Sequence, residues 1–108
     1  MLEDFTRRKQ QSMTNRIRDF SLTVNPEVAA SIHDSGIVIL HIGNGRLYAS
    51  NRTGARIWRG VEEQLSLEAI ADEITDAYQI PRATAREHVV RFLAELERHT
   101  LIHREAES

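Results

Sequence analysis

The sequence predicts an α+β domain in which a three-stranded antiparallel meander is followed by three helices. Three observations predict it. Between Gly36 and Trp58 two short apolar runs flank Gly43-Asn44-Gly45, and Asn-Gly between such runs signals a hairpin because both residues tolerate positive φ. Asn51 follows the second run and suits a helix N-cap, its side-chain oxygen accepting from the orphan amide of Thr53 or Gly54. Two later stretches then repeat apolar residues at helical spacing.

Taken in order, residues 1 to 20 read as a polar and basic arm, with Arg7-Arg8-Lys9 as its basic patch. Met13, Ile17 and Phe20 fall at i, i+4, i+7, which allows a short amphipathic helix there. Residues 21 to 103 read as one folded unit and 104 to 108 as a polar tail. Ser21 to Asn25 and Val28 to His33 are extended candidates, with a turn at Asp34-Ser35-Gly36. The hairpin of Ile37 to Ile42 with Arg46 to Ser50 comes next. A two-residue loop at Asn44-Gly45 pairs Ile42 with Leu47. A three-residue loop with a left-handed Gly45 pairs Leu40 with Tyr48 and Val38 with Ser50. The one-residue slip exchanges the faces of the returning strand, and the residues leave both registers open.

Helix one runs from about Asn51 to Glu62 and buries Ala55, Ile57 or Trp58, and Val61. Ser66 caps helix two, in which Leu67, Ile70, Ala71, Ile74 and Tyr78 share a face while Glu68, Asp72, Glu73 and Asp76 lie outward. Ile80-Pro81 breaks it, since proline disfavours helix in the residue before it. Helix three opens at Arg82 or Thr84, runs to about His99 and buries Ala85, Val89, Phe92, Leu93 and Leu96. Thr100-Leu101-Ile102 is a short closing extension.

At 108 residues the chain has room for one core, and 41% hydrophobic with 28% charged residues is an ordinary globular composition. It has no cysteine, which excludes disulfides, thiolate metal sites, a bound iron–sulfur cluster and a cysteine nucleophile. No apolar run approaches the ~20 residues that span a bilayer, and no signal-peptide core opens the chain, so a cytoplasmic protein away from membranes is expected. Net charge is −2. Between Ser21 and His103 stand eight arginines, no lysine and eleven acids, a poor footprint for nucleic acid.

Chemistry-bearing constellations are sparse. His99 and His103 are spaced i, i+4, as two metal ligands on a helix would be, but no third ligand stands in frame, and two helix-end histidines near a negative dipole end is the preferred account. His33, His41 and His88 lack an acid or serine at catalytic spacing and read as surface or edge residues. Gly43-Asn44-Gly45 leads into a strand and lacks phosphate-loop spacing. Thr53-Gly54 reads as a first helical turn, and Glu62-Glu63 point to different sides. Nothing here assembles an active site, and no metal or cofactor is expected.

The hairpin running into Asn51-Arg52-Thr53-Gly54-Ala55-Arg56-Ile57-Trp58, preceded by Gly45-Arg46-Leu47-Tyr48, resembles the PqqD family, winged-helix-like proteins also called RiPP recognition elements. Leu67-Glu68-Ala69-Ile70, Val89 to Leu96 and Leu101-Ile102 extend the resemblance over about Ser21 to Ile102. It implies a non-enzymatic protein that binds the leader of a ribosomally made precursor peptide and presents it to a modifying enzyme, often a radical SAM protein. The leader adds as a strand beside the meander's last strand, at Arg46, Leu47, Tyr48, Ala49 and Ser50, with side chains reaching a groove against helix three. Family members usually carry leucine where this chain has Ser50. That favours Tyr48 and Ser50 facing inward, and with them the three-residue loop. On helix three, Arg86, Val90 and Leu93 are the expected groove residues, Val90 for its apolar exposure and Arg86 for an acidic leader residue; His88, Glu95 and His99 form the opposite flank. The acidic side of helix two and the basic arm are the two patches expected to dock an enzyme. The rival reading is a winged-helix DNA-binding regulator, kept alive by Arg82, Arg86, Arg91 and Arg98. A homodimer is also open.

Overall fold

The structure, a computed structural model, describes residues 20–106; the arm expected to carry an amphipathic helix and a docking patch lies outside them up to residue 19. The elements are β1 (Phe20–Val24), β2 (Val28–His33), β3 (Gly36–His41), β4 (Arg46–Ser50), α1 (Arg52–Glu62), α2 (Leu67–Tyr78), α3 (Arg82–Arg98) and β5 (Ile102–Ala106). The fold is α+β and winged-helix-like: β2, β3 and β4 form an antiparallel meander in that order, three helices follow, and β1 pairs with β5 as a separate two-stranded ribbon.

The β3–β4 register is neither of the two expected. His41 pairs with Arg46, Leu40 with Leu47, Ile39 with Tyr48 and Val38 with Ala49, leaving a four-residue loop from Ile42 to Gly45. The cause is the set of bonds around His41. Gly45, at φ 74°, donates its N–H to the His41 carbonyl at 2.8 Å, and the Asn44 N–H donates to His41 Nδ1 at 3.2 Å. The Ile42 N–H turns the other way, to the Glu27 carbonyl at 2.7 Å, so it cannot pair across to Leu47. As a result Ile37, Ile39 and His41 face inward with half-buried Tyr48 and Ser50, whereas Val38, Leu40, Leu47 and Ala49 face outward. His41, expected as a surface or edge residue, is 7% exposed, with Nε2 at 3.1 Å from Thr100 Oγ1.

The inner face of the sheet and the helices enclose one core. Trp58 and Ile57 are both buried, together with Ile70, Ile74, Val89 and Leu96. Caps fix the helix starts: Asn51 Oδ1 accepts from the Gly54 N–H at 3.0 Å and Ser66 Oγ from the Ala69 N–H at 3.1 Å. The closing segment is longer than expected and is a strand, Val24 opposite Ile102 through Phe20 opposite Ala106, which puts His103 on β5 instead of a helix end. Asn25 clamps this ribbon to the end of α3. Its N–H reaches the Leu101 carbonyl at 3.0 Å, and its side-chain amide donates to the Thr100 carbonyl at 2.8 Å.

Two arginines lock α3 to α2. Arg82 meets Glu68 at 2.8 Å and Asp72 at 2.7 Å, and Arg86 meets Glu68 at 2.9 Å. Arg82, then Arg86, hold the Glu68 carboxyl below the ordinary carboxylate range, and partial desolvation offsets a part of this. The stabilisation this gives is complete above the unfolded-state value near ~4.3 and disappears as pH falls through the lower folded value. In melts between about pH 7 and pH 3, the wild-type Tm should therefore fall more steeply across that window than that of Glu68→Gln. Equal slopes would show that the pairs do not bear on folding.

Gly60 sets the approach of α1 to α2. A Cβ there would lie 2.6 Å from Ile70 Cγ1, inside contact distance of a side chain that is 0% exposed. Helix propensity alone makes Gly→Ala favourable by ~1 kcal/mol, whereas overpacking a core costs about 1–3 kcal/mol. Gly60→Ala is therefore expected to lower stability by up to roughly 2 kcal/mol in urea unfolding.

Candidate functional site

β4 is an edge strand, since among the described residues it pairs with β3 alone. The direction of its backbone groups follows from alternation. The Ile42 amide bonds to Glu27 beside β2, so Leu40 and Val38 also point toward β2, and His41, Ile39 and Ile37 point toward β4. Their partners Arg46, Tyr48 and Ser50 close the ladder. Leu47 and Ala49 are left with N–H and C=O groups directed away from the sheet.

Beside this edge runs α3. The Tyr48 ring lies 4.8 Å from the His99 ring at an interplanar angle of 42°. Past the end of β4, a hollow of ≈ 270 Å³ is lined by Ser50 and Asn51, by Thr53, Gly54 and Ile57 of α1, and by His88, Arg91, Phe92 and Glu95 of α3. A groove thus runs between β4 and α3, with the first turn of α1 closing one end. The abrupt passage from strand to helix makes this possible. Ser50 ends β4 and Arg52 begins α1, and Gly54, without a side chain, lets α1 rest against Ser50 and Phe92.

The structure places the expected strand residues on this edge: Arg46 exposed, Leu47 67% exposed, Ala49 exposed, and Tyr48 and Ser50 turned into the groove. It does not bring the expected helix residues to them. Arg86 is held by Glu68 of α2, Leu93 is 3% exposed within the core, and Val90 is exposed on the side away from Phe92. The flank beside β4 is the one with His88, Phe92, Glu95 and His99. A signal for this stood in the sequence: Glu68 and Asp72 at i, i+4 match Arg82 and Arg86 at i, i+4, which ties that side of α3 to α2.

The arginines of α3 are paired. Arg91 meets Glu87 at 3.3 Å, Arg98 meets Glu95 at 3.0 Å, and His99 Nε2 lies 3.5 Å from Glu95. All four arginines that favoured DNA thus sit against carboxylates, and α3 offers no basic stripe. The acidic side of α2 is likewise reduced, because Glu68 and Asp72 are engaged and Glu73 and Asp76 are the acids left outward. Among the described residues no cluster of three or more His, Asp or Glu is arranged to hold a metal, and no helix is long and apolar enough to cross a membrane.

Solved structures share this architecture. One described as TbiB1 in complex with the TbiA(beta) leader peptide matches with a TM-score of 0.69 and 29% identity, over 74% of this chain and 93% of that one. A lasso peptide synthetase B1 complexed with the leader peptide matches with a TM-score of 0.70 and 22% identity, over 76% of this chain and 96% of that one. No curated protein matches the sequence. The family model described as coenzyme PQQ synthesis protein D (PqqD) matches residues 36–102, and the chain belongs to the PqqD family.

The ring contact reports directly on the groove. The His99 ring protons should resonate upfield of a free imidazole because of the Tyr48 ring, and Tyr48→Leu should return them. Unchanged His99 shifts would place α3 elsewhere.

Proposed function

We propose that this protein is a non-catalytic recognition element that captures the leader of a ribosomally made precursor peptide by strand addition at β4 and presents it to a modifying enzyme. The observation that carries this reading is the edge of β4, where the outward backbone groups of Leu47 and Ala49 stand over a groove walled by α3. The similar structures hold leader peptides, which supports the same ligand class here. β2 is the sheet's other edge, but among the described residues its inward residues Ala30 and Ile32 are left exposed. A strand added there would gain backbone bonds and no side-chain pockets, so β4 is favoured.

In this reading Arg46 to Ser50 supply the pairing edge, and Tyr48, Phe92, His88 and His99 contact the inward side chains of the leader. They replace Arg86, Val90 and Leu93, which the fold turns elsewhere. The modifying enzyme, a radical SAM protein being one class of it, supplies the chemistry.

The test uses peptides selected from a displayed random library on the wild-type protein. Ala49→Pro removes an outward donor and keeps the ladder to β3, so it should fold normally and bind those peptides about tenfold or more weakly by fluorescence titration. Tyr48→Pro removes a ladder donor and should lower Tm instead. Undiminished affinity of Ala49→Pro would sink strand addition at β4.

A further inference from the structure

On a strand added at β4, side chains point into the groove at every second residue. The peptide residue opposite Tyr48 meets the Tyr48–His99 pair, and the one opposite Ser50 stands over the hollow. The floor of the hollow is carbon: Gly54 and Ile57 are buried and Phe92 is half-buried. At its mouth Arg91 and Glu95 are already engaged with Glu87 and Arg98. The apolar surface of Gly54, Ile57 and Phe92 gives an apolar occupant contact on several sides, with Thr53 and His88 as further polar residues of the lining. The room depends on two small residues. A Cβ on Gly54 would collide with Ser50 Oγ and lie 3.0 Å from Phe92 Cζ, so Ser50 already rests on the α1 backbone. Ser50 lines the hollow, so a longer side chain at position 50 takes up room there.

We infer that Ser50 is a specificity-determining residue: it keeps the hollow open for one large apolar or aromatic side chain of the bound peptide, two residues along from the side chain that meets Tyr48. This rests on strand addition at β4, and its test separates the two.

Random displayed peptides are selected in parallel on the wild-type protein and on Ser50→Leu, with Ser50→Val as the milder replacement should the leucine variant melt below the wild type. The wild type should enrich a large apolar residue at one fixed position, and the variant glycine, alanine or serine at the same position. The best wild-type peptide and its alanine version at that position are then titrated against both proteins. Ser50→Leu should weaken the parent peptide about tenfold or more and the alanine version hardly at all, a non-additivity that only direct contact produces. Additive losses, or the same large residue chosen by both proteins, overturn the role of Ser50 and leave strand addition standing. Selected peptides that bind Ala49→Pro as tightly as wild type overturn both.

Discussion

The junction at Ser50, Asn51 and Gly54 is the constraint on which the remaining geometry depends. Strand β4 ends and α1 begins with a single residue between them, so the angle of sheet to helices is fixed by local bonds more than by a loop. Asn51 caps the helix at 3.0 Å. Gly36, at φ 155°, has no Cβ to collide with the Ser50 carbonyl, and Gly54 has none to collide with the Ser50 side chain. Adding a methyl group at either glycine would part β3 from β4 or α1 from β4. The same closeness that packs Trp58 and Ile57 beneath the sheet leaves the hollow beside Ser50, so core and groove share one origin.

Much of the fold was legible because each signal was local. Caps at Asn51 and Ser66, the break at Pro81 and the apolar spacing of α2 and α3 need only neighbouring residues to be read. The hairpin register was not legible, since it turns on Ile42 bonding back to Glu27, a contact between chain segments, and on the His41 side chain accepting from Asn44 within the turn. Strand β5 was missed for a similar reason. Its pairing with β1 spans nearly the whole described chain, and Asn25, which clamps it, looks like any polar residue before a proline. The edge position of β4 was readable from its place at the end of the meander. Which flank of α3 lies beside β4 was not read, because exposure of Val90 was weighed and the match of Arg82 and Arg86 to Glu68 and Asp72 was not.

That match, with the pairs of Arg91 and Arg98, also explains how the four arginines of α3 avoid forming a basic stripe. Pairing within and between helices uses the guanidinium groups of α3 on neighbouring carboxylates, with distances from 2.7 to 3.3 Å. Exposed pairs of this kind add little stability each. Their effect is to offset the charge of the α3 arginines beside the groove.

The shortness of β4 has a consequence for selectivity. A strand of five residues turns only Leu47 and Ala49 outward, which offers four backbone groups to a partner. Four hydrogen bonds at about 1 kcal/mol net each do not exceed the ~4–15 kcal/mol lost when two bodies become one. Backbone pairing, which is blind to sequence, is therefore too weak to hold a peptide here. Any segment that stays must owe its residence to its side chains, and discrimination among sequences becomes a condition of binding at all.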